Sequence, residues 1–194
     1  MMSNPLFIVI AGPNGAGKST AAAHLLPSNI AFLNADEIAK QLPNYPSGAA
    51  DIRAGRLVLE RMKKLEQIGS DIAVETTLAS RSLAARIARL KTFGYLFHLT
   101  FTFLPDPDMA VLRVASRVRL GGHDIPEETI RRRYQAGLSN LFELYLPLAD
   151  RWFVLDTTRP APLRLIAEGI IGEPERVIDP TIWRIMKRSQ GHAR

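Results

Sequence analysis

The octapeptide Gly12–Pro13–Asn14–Gly15–Ala16–Gly17–Lys18–Ser19 constrains this chain more than any other segment. It follows Pro5–Leu6–Phe7–Ile8–Val9–Ile10, a short apolar run that reads as a buried parallel strand. It leads into Lys18–Leu26, an Ala-rich stretch of good helix formers that stops at Pro27. The octapeptide satisfies G-x-x-x-x-G-K-[ST] at every fixed position, in the strand-to-helix context that gives the pattern its meaning. Glycines at these spacings let successive main-chain N–H groups converge on one anion, and the helix that follows adds the positive end of its dipole. A chain of 194 residues with average composition meets the pattern by chance on the order of once in a hundred. Gly12, Pro13, Asn14, Gly15, Ala16, Gly17, Lys18, Ser19 and Thr20 are therefore expected to hold the phosphates of ATP or GTP. Lys18 would reach the outer phosphates, and the Ser19 hydroxyl would help hold Mg²⁺.

The rest of the chain alternates strands with helices. Ile30–Leu33 reads as a second strand with polar Asn34 and Asp36 at its end, and Asp71–Val74 as a third that closes on Glu75–Thr76–Thr77. Between them Ile52, Val58, Leu59, Met62, Leu65 and Ile68 recur at helical spacing up to Gly69. Ser80–Leu90 is a predicted helix, Tyr95–Phe103 a strand, and Trp152–Leu155 a strand ending at Asp156. Pro107–Leu120 and Pro126–Leu141 are predicted helices joined by Gly121–Gly122–His123–Asp124–Ile125. Leu163–Ile171 fits a strand or a helix, and Pro180–Lys187 a short amphipathic helix. The expected architecture is α/β: an open, mostly parallel sheet with helices on both faces and an arginine-bearing helical lid near 113–135. The domain would span 1–172, with the tail 173–194 docked on it.

Composition narrows the partners. Apolar residues make up 46% and charged residues 23% of the chain, near the averages of a soluble globular domain. No apolar run reaches membrane-spanning length, and Met1–Ser19 lacks the basic start, apolar middle and cleavage site of a secretion signal. With no cysteine for disulfides or thiolate metal sites, the expected location is the cytoplasm. A net charge of +6 favours anionic partners. Aromatic residues are few and do not interleave with the arginines as base-stacking platforms would, so nucleic acid is not the expected partner.

In an open parallel sheet ligands sit beyond the carboxyl ends of the strands, where Asp36, Glu75 and Asp156 all fall. Asp36 also suits the N-cap of a following helix, and Glu75 a strand end satisfied by Thr77. Asp156, late in the chain, suits a structural or adenine-side role better than metal binding. Arg113 and Arg117 are four apart and share a helical face, whereas Arg119 points elsewhere; Arg131, Arg132 and Arg133 lie on the next predicted helix.

The blocks Gly12–Thr20, Asn34–Ala35–Asp36–Glu37–Ile38, Glu75–Thr76–Thr77–Leu78, Gly121–Gly122–His123–Asp124–Ile125–Pro126, Arg131–Arg132–Arg133–Tyr134 and Ala149–Asp150–Arg151–Trp152 together resemble the zeta toxin family of P-loop kinases, in particular its short bacterial branch. The resemblance covers roughly residues 5–156. It implies a kinase-type sheet and transfer of the γ-phosphoryl group of ATP, with Mg²⁺, to a hydroxyl. Asp36 would activate the acceptor, while Glu75 would contact the acceptor or a Mg²⁺-bound water, with Thr77 and Arg81 beside it. Arg119 and Arg132 would be the phosphate-binding pair, with Arg117 or Arg133 as the neighbouring alternatives. In characterised members the acceptor is a UDP-activated amino sugar, and an antitoxin blocks the nucleotide site. Longer members tend to carry Arg shortly after the Asp and again after the Glu-x-Thr-Leu block, where this chain offers Lys40 and Arg81 at shifted positions. Two other readings compete. A transport-coupled ATPase would need a Leu-Ser-Gly-Gly-Gln signature and an Asp–Glu strand end, which Gly121–Gly122–His123 and Leu155–Asp156–Thr157 do not supply. A nucleic-acid-associated nucleotide-binding protein has only the positive charge in its favour.

Overall fold

The computed structural model describes residues 4–42, 49–159 and 162–189. Seven strands form one sheet: β1 (Leu6–Ala11), β2 (Ala31–Leu33), β3 (Ile72–Thr76), β4 (Leu96–Phe103), β5 (Arg151–Asp156), β6 (Arg164–Ile170) and β7 (Arg176–Val177). Their order is β2–β3–β1–β4–β5–β6–β7. The first five are parallel, because each is separated from the next by a helical crossover. The short connection 157–163 cannot carry such a crossover, so β6 returns antiparallel to β5, and β7 pairs antiparallel with β6. The segment that fitted either a strand or a helix is thus a strand.

Among the described residues eight α-helical segments accompany the sheet: α1 (Lys18–Leu25), α2 (Ala35–Lys40), α3 (Ala49–Gln67), α4 (Ser82–Thr92), α5 (Pro107–Arg119), α6 (Glu127–Asn140), α7 (Leu146–Leu148) and α8 (Pro180–Ser189). Between α6 and α7 the chain widens into a π-helical turn, Leu141–Tyr145. The start of α5 is set by Asp106, whose carboxylate accepts the Met109 N–H at 2.8 Å, with Pro107 at the first helical position.

Central strands are apolar on both faces. Phe7, Val9, Ile72, Val74, Phe97 and Leu99 join the larger core, while Ile10 packs with Ala21 and Ala22 of α1 on the other face. Each fully buried side chain of this size contributes roughly 1.5–3 kcal/mol relative to exposure, which anchors the strand ends from which the site is built. Beyond β5, Trp183 of α8 stacks on Trp152 with ring centroids 5.6 Å apart, fastening the C-terminal helix to the sheet.

Candidate active site

Strand register sets the coordinates of the site. Ile10 pairs with Glu75 and Ala11 with Thr76, so β3 delivers Glu75 beside the turn that β1 feeds. That turn leaves β1 pressed against β4. Gly12 has φ 142, and a Cβ there would collide with the Thr102 side chain and carbonyl. The Thr102 hydroxyl donates to the Ala11 carbonyl at 3.0 Å and fixes the exit of the strand.

Lys18 is buried, only 8% exposed. Its ammonium donates to the Pro13 carbonyl at 3.0 Å, across its own loop, and lies 3.7 Å from Glu75 Oε1. Burial pushes the Lys18 pKa below its ordinary value; the Glu75 and Asp36 carboxylates oppose this, and the Arg117 charge adds to it. Glu75 Oε2 accepts from the Ser19 hydroxyl at 2.8 Å and from Asn34 Nδ2 at 2.9 Å. One carboxylate thus gathers the lysine, the hydroxyl and the end of β2.

Asn34 also caps α2: its Oδ1 accepts the N–H groups of Asp36 at 2.8 Å and Glu37 at 3.3 Å. The capping role weighed for Asp36 therefore belongs to Asn34, and Asp36 occupies the first turn of α2. The bond weighed between Glu75 and Thr77 is replaced by the bonds to Ser19 and Asn34.

These groups face a cavity of about 430 Å³. Asn14, Lys18, Asp36, Glu75 and Thr77 line it together with Thr129, Arg132 and Arg133 of α6. Asn14 is 6% exposed, and its Oδ1 is buried without a hydrogen-bond partner, an uncommitted polar atom in the loop itself. A buried ammonium and a glycine-rich turn opening a helix fit an anionic nucleotide, with the Ser19 hydroxyl oxygen on hand for its metal ion. Among the described residues no cluster of His, Asp and Glu is arranged to hold a metal by itself.

The arginines divide sharply. No carboxylate among the described residues pairs with Arg132 or Arg133, whereas Arg131 is held by Asp108 at 2.6 Å and Glu127 at 2.7 Å. Arg113 donates to the carbonyls of Gly15 at 3.4 Å and Thr158 at 2.7 Å, buttressing the phosphate loop from behind. Arg117 turns inward, donates to the His123 carbonyl at 2.9 Å and keeps a buried Nε without a partner. Arg119, expected with Arg132 at the phosphates, is exposed and does not line the cavity. Two residues further along a helix it points about 200° away from Arg117. Arg81, expected at the acceptor, is also outside the cavity: it is largely exposed and lies 3.5 Å from Glu143. The side chain of Lys40 lies outside the described ones. Asp156 is buried; it accepts the Thr158 N–H at 2.9 Å and lies 3.3 Å from Arg164, so it shapes the turn after β5.

Sequence reasoning missed Asn34 as an organiser, although Asn34 and Glu37 stand at capping-box spacing. It also missed Gly137 and Asn140, which carry no motif. No helix among the described residues is long and apolar enough to cross a membrane.

Residues 1–155 match the family model described as Zeta toxin. The chain is 29% identical over 127 residues to an uncharacterised protein of Haemophilus influenzae, covering 66% of this chain and 91% of that one. Among solved structures it superposes on a chain of the AvrRxo1-ORF1:AvrRxo1-ORF2 complex with sulphate ions at a TM-score of 0.79, with 16% identity. That alignment covers 97% of this chain and 65% of the other, so the chain spans about two-thirds of that neighbour's length. A structure of the same complex with ATP gives a TM-score of 0.77 at 18% identity, covering 97% and 64%. A structure of the PezAT chromosomal toxin–antitoxin system of Streptococcus pneumoniae gives 0.65 at 18% identity, covering 98% and 87%. At these identities the likeness is one of fold.

Proposed function

The chain belongs to the zeta toxin family, and from that premise we propose that it transfers the terminal phosphoryl group of ATP to a hydroxyl of a small acceptor. The observation that carries the reading is that Asp36 and the buried Lys18 line one cavity of about 430 Å³, with the Asp36 carboxylate near enough to act on the Lys18 charge. Lys18 and the main-chain N–H groups of residues 14–19 hold the phosphates, and Lys18 neutralises charge on the outer ones. Mg²⁺ bound with ATP would add charge neutralisation on the phosphate oxygens, and Ser19 would be the residue of this chain to hold it. Asp36 accepts the proton of the acceptor hydroxyl as its oxygen bonds to the γ-phosphorus. The bond from that phosphorus to the β–γ bridging oxygen breaks, leaving ADP. Arg132 and Arg133, which line the same cavity, bring positive charge to the phosphoryl group in transit.

The acceptor class that family membership favours is a UDP-activated amino sugar, and an antitoxin protein is the partner it favours. Neither Arg119 nor Arg81 lines the cavity, so Arg132 with Arg133 is the better-supported anion-binding pair on the lid side. The test is to incubate the protein with γ-labelled ATP, Mg²⁺ and a panel of UDP-sugars, nucleosides and small alcohols. Label should appear in one acceptor class and should vanish with Asp36→Asn. An absence of Mg-nucleotide affinity by calorimetry, or undiminished transfer by Asp36→Asn, would remove the reading.

A further inference from the structure

The cavity wall Glu75–Thr77 runs into a backbone conformation that its sequence disfavours. Leu78 has φ 58 although it carries a large side chain and is fully buried. Left-handed backbone at such a residue persists only where its surroundings over-determine it. Those surroundings come from the far half of α6. Asn140 Nδ2 donates to the Leu78 carbonyl at 2.8 Å from a buried position. Gly137 lies so close to the Thr77 carbonyl that any Cβ would collide with it. Within the loop, Thr76 Oγ1 accepts the Leu78 N–H at 3.1 Å. The Tyr145 hydroxyl then donates to the Ser80 carbonyl at 2.7 Å.

The π-helical turn Leu141–Tyr145 explains how both side chains reach one loop. Five residues along an unbroken α-helix end about 140° apart around the axis. The wider turn advances fewer degrees per residue, which brings Tyr145 back to the face that Asn140 uses. The same helix carries Thr129, Arg132 and Arg133 to the cavity two to three turns earlier. One element therefore touches the loop behind the acceptor wall and supplies the cations above it.

We propose that Asn140 is a positioning residue for phosphoryl transfer: its bond to the Leu78 carbonyl locks the left-handed turn that holds Thr77 against the acceptor. The assignment rests on the reading of that wall as the acceptor side. Two variants test it. Asn140→Leu removes the donor while keeping the number and branching of the side-chain heavy atoms. Asn140→Asp sets a carboxyl against a carbonyl oxygen, where it can donate only when protonated, and burial raises its pKa. Both should bind a fluorescent mant-ATP probe within about twofold of wild type, and both should raise KM for the acceptor about tenfold. The ratio of Asn140→Asp to wild-type activity should recover as the pH is lowered from about 8 to about 5.5, whereas that of Asn140→Leu should stay flat. Amide exchange in Asn140→Leu should accelerate at 77–82 and not at 12–19. A parallel loss of nucleotide affinity, a pH-independent Asn140→Asp ratio, or unchanged exchange at 77–82 would overturn the assignment. If wild type modifies nothing in the panel, the kinase reading fails, while exchange and mant-ATP binding still decide whether the clamp exists.

Discussion

The proposed nucleotide wall and the proposed acceptor wall of the site are built by different means. The nucleotide wall is one contiguous octapeptide whose main chain supplies the binding groups, and its lysine is satisfied within a few residues, by the Pro13 carbonyl. The acceptor wall is assembled from residues near 34–36, 75–77 and 129–133, fastened by side-chain bonds that bridge long sequence separations. Asn34 reaches Glu75 across 41 positions, and Asn140 reaches Leu78 across 62. Phosphate is common to every nucleotide, so a local main-chain cradle serves it in any context. An acceptor is specific, and side chains brought together by tertiary packing can shape a wall to it without altering the cradle. The two walls share one joint: Glu75, which bonds Ser19 on the nucleotide side and Asn34 on the acceptor side.

The comparison breaks most visibly at Asp36. Asp36→Asn should lower kcat for phosphoryl transfer by about 10²–10⁴-fold and leave Mg-ATP affinity within about twofold, read from single-turnover transfer beside calorimetry. Lys18→Ala acts on the other wall. Losing a buried charged donor to phosphate should weaken ATP binding by about ten- to 150-fold, measured by calorimetry, since such bonds contribute roughly 1.5–3 kcal/mol. If both variants damage binding and transfer alike, the walls are not separable.

A smaller effect sharpens the division of the arginines. Arg132→Gln should reduce kcat/KM about tenfold, and Arg119→Gln should change it less than about twofold, because Arg132 lines the cavity and Arg119 does not. The reverse ranking in steady-state kinetics would place the working cation on α5. The smallest effect lies away from both walls. His98 on β4 has its pKa held below the usual value of about 6.5, first by burial and then by Arg151, with Asp150 opposing. A depressed pKa means stability that is present above 6.5 and is lost as the pH falls from there through the folded-state value. The urea midpoint of wild type should therefore drop between about pH 7 and pH 5, and that of His98→Gln should drop less, with ATP affinity above pH 7 unchanged.

Legibility in the sequence follows the same division. The phosphate loop, the parallel strands and the strand-end acids could be read directly, because each depends on contiguous residues and simple periodicity. The capping box Asn34–Glu37 was readable as spacing, yet its tie to Glu75 was not, since that bond exists only once β2 and β3 are neighbours. Arg113 and Arg117 could be put on one face of α5, but not which face looked inward. The left-handed Leu78 contradicts local propensity, and only the packing of α6 enforces it.

By itself, then, the order of residues determined a P-loop α/β sheet with a phosphate cradle at the tip of its first strand, because main-chain amides and apolar runs act over short spans. Tertiary structure alone decided which arginines face the cavity, which carboxylate ties Ser19 to Asn34, and what holds the loop after β3. Those outcomes depend on groups 40 to 60 residues apart coming within about 3 Å, a distance that no local pattern encodes.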